Sequence, residues 1–262
     1  MGEHQYILSH TSDASERERL SLLERIADSL SQRRLAALDI QPGWRCLEVG
    51  AGHGSIVRWL AEQVGPQGQV VATDINPRFL TEVQLPNVEV RQHDIRTDPL
   101  EPDMYDLAHC RSVLAHMPDP QRVVQRMVTA LRIGGWLLIE EGDVSSERAV
   151  DVTHPLAESF DRQRREIPDR MAQAKLINLY VGRQVRGLLE DAGLTEIDNE
   201  GVSRIVRGGE AEARLTCMTL QAAVERGTLS QAKYTALRQA FLDPSFSYIT
   251  PTMFAAWGKR AS

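Results

Sequence analysis

The first half of the chain alternates short apolar runs with longer segments whose apolar residues recur at helical spacing. Residues 44–49, 69–73 and 88–92 are runs of strand length. The segment that begins at Ser55 has helical spacing and follows the first run after a glycine-rich turn. Strands and helices that alternate with short joins predict a parallel, doubly wound α/β sheet.

Two more helices are indicated by their capping residues. Ser15 is followed three residues later by a glutamate, and apolar residues at helical spacing predict a helix over about 15–35. Asp119 is suited to the N-cap of another helix, which we expect to end at Gly134 and Gly135. The apolar run 136–140 then predicts the fifth strand.

The pattern becomes irregular in the second half. Residues 144–180 are polar and predict helical insertions after the fifth strand, and their basic cluster at Arg162, Arg164 and Arg165 either holds an acidic substrate or is a solvated helix face. The elements predicted beyond them are a helix at 181–192, a sixth strand at 195–201, helices at about 210–226 and 230–241, and a seventh strand at 253–257.

Composition narrows the classes of partner. The chain has 262 residues, of which 42% are apolar. Its formal net charge of −6 argues against a protein that binds nucleic-acid phosphates. Cys46, Cys110 and Cys217 are far apart in the sequence and show no paired spacing for zinc or an iron–sulfur cluster, and Cys46 and Cys110 are expected to be buried free thiols. The sequence shows no segment that resembles a signal peptide and no apolar run as long as a membrane span, so the expected location is the cytoplasm.

The turn after the first run is the candidate ligand site. Gly50, Gly52 and Gly54 lie between the predicted strand and helix, where an open α/β sheet binds its ligand. A dinucleotide fingerprint would require a third glycine at Ser55. Glu48 would repel a pyrophosphate, whereas it would attract an ammonium group, so the turn favours a cationic nucleotide-type ligand.

Acidic residues stand at or near the ends of three successive strands. They are Glu48, Asp74 and Asp94. A carboxylate at the end of the second strand is placed to accept ribose hydroxyls, as in dinucleotide folds. This placement indicates a nucleoside-containing ligand along one edge of the sheet.

These positions belong to a longer series of motifs. Residues 35–142 contain LEVGAGHG, VVATDI, HDI, YDL and LRIGGWL, in that order. The series resembles the class I S-adenosylmethionine-dependent methyltransferases, and within them the small-molecule branch, similar to quinone-biosynthesis and actinomycete natural-product tailoring enzymes. The resemblance implies a Rossmann-like sheet of seven mostly parallel strands, with an N-terminal helical cap and helical insertions after strand 5 and between strands 6 and 7.

The resemblance also implies a role for each motif. Glu48 and the glycine turn would hold the methionine portion of S-adenosylmethionine, Asp74 the ribose and Asp94 the adenine. The implied cofactor-binding residues are Glu48, Gly50, Ala51, Gly52, Gly54, Asp74, Ile75, Asp94, Ile95, Cys110 and Arg111.

A division of the chain follows from the same resemblance. It consists of a cap at 1–38 with Tyr6 as a lid contact, a cofactor-binding core at 39–143, a lid at 144–180 and a completion of the core at 181–262.

The acceptor side offers two catalytic candidates. His116 follows the fourth strand, and its ordinary pKa suits proton acceptance near neutral pH. Glu141, with its neighbours Glu140 and Asp143, follows the fifth strand. The histidines and acids have no metal-site spacing, so no metal is predicted.

The predicted reaction is in-line methyl transfer to an oxygen, nitrogen or carbon atom of a small molecule, for example a secondary metabolite or a quinone-like acceptor. The alternatives are a cofactor-binding protein of this fold with a non-methylating role, such as a cyclase or a binding module, and a methyltransferase of protein or RNA. No nucleic-acid or membrane partner is predicted, and a homodimer is left open.

Overall fold

The computed structural model of the protein describes residues 13–173 and 177–261. Its strands are β1 (Arg45–Val49), β2 (Gln69–Asp74), β3 (Val88–Gln92), β4 (Tyr105–Arg111), β5 (Leu131–Asp143), β6 (Arg148–Ala149), β7 (Leu194–Val202), β8 (Ile205–Arg207), β9 (Ser247–Ile249) and β10 (Thr252–Arg260). Its α-helices are α1 (Asp13–Ala36), α2 (Ser55–Val64), α3 (Pro120–Ala130), α4 (Ala157–Gln173), α5 (Val185–Asp191), α6 (Ala211–Glu225) and α7 (Gln231–Leu242). Short 3₁₀ helices lie at Pro77–Glu82, Leu114–His116, Val144–Ser146 and Val181–Gln184.

The central sheet has seven strands in the order β3-β2-β1-β4-β5-β10-β7. All neighbours pair in parallel except β10, which is antiparallel to both β5 and β7. The strand order reverses between β1 and β4, and a ligand crevice is expected outside the carboxyl ends of the strands at such a point. The predicted fold class is confirmed.

Both faces of this sheet are buried, which explains why its central strands are almost continuously apolar. In β4, every residue from Tyr105 to Cys110 is buried. On one face, Val57 and Leu60 of α2 share a cluster with Leu35 of α1, and on the other α3 and α5 pack. The strand edges that carry the predicted motifs therefore stand on a rigid core.

The insertions form a second, smaller cluster beside the sheet. Helices α4, α6 and α7 pack around a three-stranded antiparallel sheet in the order β6-β9-β8. Its centre is aromatic: the rings of Phe160 and Tyr248 contact each other, and each also contacts the rings of Phe241 and Phe246. The helices agree with the sequence prediction, but the small sheet was missed because its two- and three-residue strands are too short to show an alternating pattern. We call this unit the satellite.

One predicted boundary was wrong. The helix that begins after Asp119 ends at Ala130 and not at Gly134, and β5 begins at Leu131, before the predicted start of the strand. Leu131 is fully buried and pairs with Tyr105 of β4. Gly134 has φ 76°, and the register of the ladder shifts after Tyr105, so the glycine pair lies in an irregular part of the strand.

The N-terminal helix agrees closely with its prediction, since α1 runs from Asp13 to Ala36. Part of the predicted cap, with Tyr6, lies outside the described residues, as do residues 174–176 of the predicted lid. The division into cap, core, lid and completion stays a prediction.

Candidate functional site

The glycine turn lies at the point where the strand order reverses. Gly50, Gly52 and Gly54 have φ values of 70°, 56° and 85°, a region that side chains rarely adopt. A Cβ on Gly50 would lie 2.5 Å from Cγ2 of Val113, in the loop after β4. The glycines therefore let the loops after β1 and β4 approach each other, and Ala51 lies between the first two of them.

Asp74, at the end of β2, faces this turn. Its Oδ2 accepts a hydrogen bond from the N–H of Gly52 at 3.0 Å, and its Oδ1 accepts one from the N–H of Asn76 at 2.8 Å. Burial raises the pKa of the carboxyl above its ordinary value. Because a carboxylate offers about four acceptor positions, Asp74 can still accept hydroxyl groups from a ligand.

The residues predicted to bind adenine differ in how much surface they offer. Ile75 is 43% exposed, whereas Ile95 is 5% exposed and belongs to the core. Asp94 forms an ion pair with Arg96, with 2.7 Å between Nη2 and Oδ2, and the hydrogen bonds from Arg96 lower the pKa of Asp94. An amine bound at Asp94 would share the carboxylate with this guanidinium.

Glu48 lies in a buried network that sequence reasoning missed. His109 of β4 stands opposite Glu48 in the parallel register, and its Nδ1 is 2.7 Å from Glu48 Oε2. Its Nε2 is 3.4 Å from Glu140 Oε2 on β5. A histidine between the apolar residues Ala108 and Cys110 of a buried strand was the available signal. The network joins the carboxyl ends of β1, β4 and β5 on one face of the sheet.

The groups in this network shift one another's pKa values and so determine which of them are charged. Burial alone would lower the pKa of His109, but the charges of Glu48 and Glu140 and their hydrogen bonds raise it to about 9. Burial would raise the pKa of Glu140, but His109 and Arg34 lower it well below its ordinary value. At neutral pH His109 is therefore an imidazolium between Glu48 and Glu140.

Helix α1 contacts the same edge along its length. Leu20 comes within 3.3 Å of the position of a Cβ on Gly52. Further along, Asp28 accepts a hydrogen bond from Nη2 of Arg111 at 2.9 Å, and Ser31 donates one to Glu140. Arg34 pairs with Glu140 at 2.5 Å. The helix predicted as a cap thus lies over both the glycine turn and the buried network.

Cys110 and Arg111 end β4. Cys110 is fully buried in the core, and burial raises the pKa of its thiol. Arg111 donates to Ser31 Oγ at 2.8 Å as well as to Asp28. Ser112 follows with φ 58°, so the chain turns sharply after Arg111. Their predicted contact with the methionine portion rests on the backbone and stays a prediction.

His116 was proposed as a base because an ordinary histidine pKa was expected, and that expectation was wrong. Burial, together with the nearby charge of Arg19 on α1, lowers the pKa of His116 to about 4. The imidazole is therefore neutral at physiological pH but is a weaker base than an ordinary histidine. Its catalytic role stays a prediction, and the lowered pKa makes His116 less suited to accept a proton.

Glu141 points to the opposite face from Glu140 and holds the loop after β4. Its Oε1 accepts hydrogen bonds from the backbone N–H groups of Val113, at 2.7 Å, and of Leu114. Burial raises the pKa of Glu141 to about 7, although these N–H groups lower it. The side chain is 1% exposed, so the geometry favours positioning of the Val113 loop over contact with an acceptor.

The basic cluster in the predicted lid is divided between two environments. Arg164 is buried and pairs with Glu147, with 2.8 Å between Nε and Oε2. Arg162 is exposed beside Glu158 on the same helix. A solvated helix face describes Arg162, whereas Arg164 is a buried structural pair.

A cavity of about 130 Å³ lies beneath α1. Its walls come from α1, from Arg111 and Glu140 at the edge of the central sheet, and from the satellite. Leu23, Ile26 and Leu30 are among the α1 residues that line it. The cavity therefore connects the edge of the central sheet with the inserted elements.

Two further properties concern the described part of the chain. Over residues 13–173 and 177–261, no group of three histidine, cysteine or acidic side chains is arranged to hold a metal ion. No helix within the same ranges has the length and apolarity required to span a bilayer.

Comparison with known proteins identifies the family. A model of the methyltransferase domain matches residues 16–199. An uncharacterized 37.1 kDa protein in transposon TN4556 of Streptomyces fradiae is 29% identical over 248 residues, which are 89% of this chain and 69% of that protein. The ubiquinone/menaquinone biosynthesis C-methyltransferase UbiE of Ectopseudomonas mendocina is 30% identical over 110 residues, 39% of this chain and 43% of that protein.

A solved structure gives the same fold. Phosphoethanolamine N-methyltransferase 2 of Haemonchus contortus, in complex with S-adenosyl-L-methionine, superposes with a TM-score of 0.52 and 18% identity, over 98% of this chain and 56% of that one. The domain model covers most of the chain, and the sheet has the seven mostly parallel strands that the resemblance implies. The chain therefore belongs to the methyltransferase-domain family and is a class I S-adenosylmethionine-dependent methyltransferase.

Proposed function

We propose that this enzyme binds S-adenosylmethionine on the glycine turn and transfers its methyl group to a small acceptor in the cavity beneath α1. The observation that carries the proposal is the meeting of three left-handed glycines and Asp74 at the edge that also borders a partly open, largely apolar cavity. The Haemonchus enzyme, which shares the fold, holds S-adenosylmethionine in its structure.

The residues present fit this cofactor. The glycine turn has no Cβ atoms at Gly50, Gly52 and Gly54, so a ligand can approach its backbone closely. The helix that follows offers N–H groups at its amino terminus. Asp74 retains acceptor positions for ribose hydroxyls, and Glu48 is the carboxylate nearest in sequence to the turn. When bound, S-adenosylmethionine supplies an electrophilic methyl group on a sulfonium.

The residues of the chain would act chiefly by binding, orienting and excluding water. Asp74 would fix the ribose, while the network of Glu48, His109 and Glu140 would hold the edges of three strands in place. Helix α1 would cover the reacting groups and keep water out. Such positioning brings an acceptor atom in line with the methyl group at near-attack distance, which lowers the barrier without a strong base.

A small acceptor is supported by the size and lining of the cavity. Its volume of about 130 Å³ suits a group the size of a small molecule, and its α1 wall is aliphatic. The UbiE relative is named for methylation in ubiquinone and menaquinone biosynthesis, in which the methyl acceptor is a small molecule. These observations favour a small, largely apolar acceptor, with the accepting atom left as oxygen, nitrogen or carbon.

Calorimetric titration tests cofactor binding directly. We expect S-adenosylmethionine and S-adenosylhomocysteine to bind with dissociation constants on the order of micromolar, about −8 kcal/mol. NAD serves as the control and should give no heat of binding, because the third dinucleotide glycine is replaced by Ser55. Absence of heat with both sulfur ligands would contradict the proposal.

The protonation state of His116 gives a second test. Because its pKa is lowered to about 4, its imidazole should show no titration near the ordinary value of 6.5. The measurement is an NMR titration of the histidine ring signals between about pH 5 and pH 8, with His116→Gln to assign the signal. A signal of His116 that moves with a midpoint near neutral pH would contradict this expectation and restore it as a suitable base.

A further inference from the structure

The side chain of Glu141 extends from β5 to the start of the loop after β4. Its Oε1 accepts hydrogen bonds from the N–H groups of Val113, at 2.7 Å, and of Leu114. Leu114 begins the 3₁₀ helix Leu114–His116, and the first N–H groups of a helix have no partner within it. The carboxylate therefore supplies an acceptor at a point where the helix itself supplies none.

The loop starts from a backbone conformation that has to be held from outside. Ser112 has φ 58°, in the left-handed region that residues with a side chain rarely adopt, and such a residue persists where its surroundings determine its conformation. Here the surroundings are β5. The N–H of Ser112 donates to the backbone oxygen of Glu140 at 2.9 Å, and Glu141 holds the next two N–H groups. Two successive residues of β5 thus fix three successive N–H groups of the loop.

The first residue held by Glu141 lies directly against the glycine turn. A Cβ on Gly50 would be 2.5 Å from Cγ2 of Val113, so Val113 occupies the space next to Gly50. Gly50 has φ 70°, and its N–H donates to the backbone oxygen of Thr73 on β2 at 2.8 Å. A displacement of Val113 would therefore remove the neighbour that packs on this turn.

The burial of Glu141 is explained by these hydrogen bonds. The residue is 1% exposed, which leaves its oxygens to the loop rather than to a ligand. A buried carboxylate costs free energy unless it is hydrogen-bonded, and burial raises the pKa of Glu141 to about 7 while the N–H groups of the loop lower it. An apolar residue would avoid this cost but would leave the N–H groups without their acceptor.

We propose that Glu141 is a positioning residue of the cofactor site, which holds the loop after β4 against Gly50 and so keeps the glycine turn in the shape that binds S-adenosylmethionine. This inference rests on the proposed function, because it takes the turn to be the cofactor site. Glu141 acts through Val113 and touches neither the cofactor nor the acceptor. A residue of β5 thereby controls a turn that follows β1, two strands away in the sheet.

Calorimetric titration of Glu141 variants with S-adenosylhomocysteine tests the inference. Glu141→Ala removes the acceptor, and buried N–H groups without a partner disfavour the present arrangement of the loop. If the arrangement that binds falls to about a tenth of the molecules, the apparent affinity falls about 10-fold, and we expect a loss of at least this size. Glu141→Gln keeps an oxygen that can accept both N–H groups, so its affinity should stay within about 3-fold of the wild type.

A double substitution tests the path through Val113. Val113→Ala removes the methyl groups next to Gly50 and should also weaken binding of S-adenosylhomocysteine. If Glu141 acts through Val113, the fold loss in Glu141→Ala/Val113→Ala should be smaller than the product of the two single losses. Hydrogen exchange without cofactor should be faster in Glu141→Ala at the N–H groups of Val113 and Leu114, and also at that of Gly50.

The matched control is Asp106→Ala. Asp106 is also a buried acid, and its Oδ2 accepts a hydrogen bond from the backbone N–H of Arg45 at 2.6 Å. Arg45 begins β1, at the opposite end of the strand from the glycine turn. Loss of this bond should lower the melting temperature but leave the affinity for S-adenosylhomocysteine unchanged. The control thus separates a loss of stability from a change at the cofactor turn.

Four results would overturn the inference. They are wild-type affinity in Glu141→Ala, a loss in Glu141→Gln as large as that in Glu141→Ala, an equal loss in Asp106→Ala, and unchanged hydrogen exchange at Gly50 in Glu141→Ala. If Glu141→Ala does not fold, Glu141→Asp replaces it, because it keeps the charge but withdraws the carboxylate by one CH₂ group and should also lose affinity. A failure of the proposed function is distinguishable, since the wild type itself would then not bind S-adenosylhomocysteine, which would overturn both.

Discussion

His109→Leu should lower the free energy of unfolding by about 3–5 kcal/mol, the range for removal of one partner from a buried ion pair. The imidazolium lies between Glu48 and Glu140, and without it both carboxylates lose a buried partner. Urea unfolding at neutral pH measures the effect. His93→Leu is the matched control, because His93 is also buried but contacts the carbonyl of Pro99, and it should cost about 1 kcal/mol.

The same network predicts a dependence on pH. The pKa of His109 is about 9, above its unfolded value near 6.5, so its contribution is complete below about pH 6.5 and is lost as the pH rises through about 9. The stability difference between wild type and His109→Leu should therefore shrink from neutral pH to about pH 10. A difference below about 1 kcal/mol at neutral pH, or one that grows with pH, would contradict the assignment of a charged imidazole.

Asp74→Ala should weaken binding of S-adenosylmethionine by about 1.5–3 kcal/mol, or roughly 10–150-fold, as for loss of a charge-assisted hydrogen bond. Asp74 would lose its contact with the ribose and also its hydrogen bonds to the N–H groups of Gly52 and Asn76, which join two loops of the site. The measurement is calorimetric titration of the variant with S-adenosylmethionine.

The control for this prediction is Asp191→Ala, an exposed aspartate at the end of α5, on the other side of the sheet. It should bind the cofactor as the wild type does. If Asp74→Ala also kept the wild-type affinity, the assignment of the ribose to Asp74 would be incorrect.

Local patterns predicted the parts of the fold in which neighbouring residues decide the structure. Asp119 caps α3 through the N–H of Arg122, and the glycine turn joins β1 to α2. The predicted end of α3 was wrong because Leu131 continues the helical spacing of Met127 and Val128. Its pairing with Tyr105 of β4 overrides that local pattern.

The parts of the site that form a sequence motif could be predicted. The parts that depend on contacts between residues distant in the sequence could not. The contact of His109 with Glu48 requires the strand register, and the contacts of Ser31 and Arg34 with Glu140 require the packing of α1 on the sheet. The low pKa of His116 results from burial in the folded chain and from the charge of Arg19, which α1 brings from a distant part of the sequence. Composition and spacing do not contain these contacts.

The place of β10 in the sheet has a consequence for the order of folding. This strand lies between β5 and β7, yet β5 ends at Asp143 and β10 begins at Thr252. Until β10 arrives, β5 and β7 each present an open edge that could pair with another chain. Pairing over such a sequence separation closes a long loop and is slow. We therefore expect incompletely synthesised chains to aggregate, and chaperones to assist folding until the last strand of the sheet is in place.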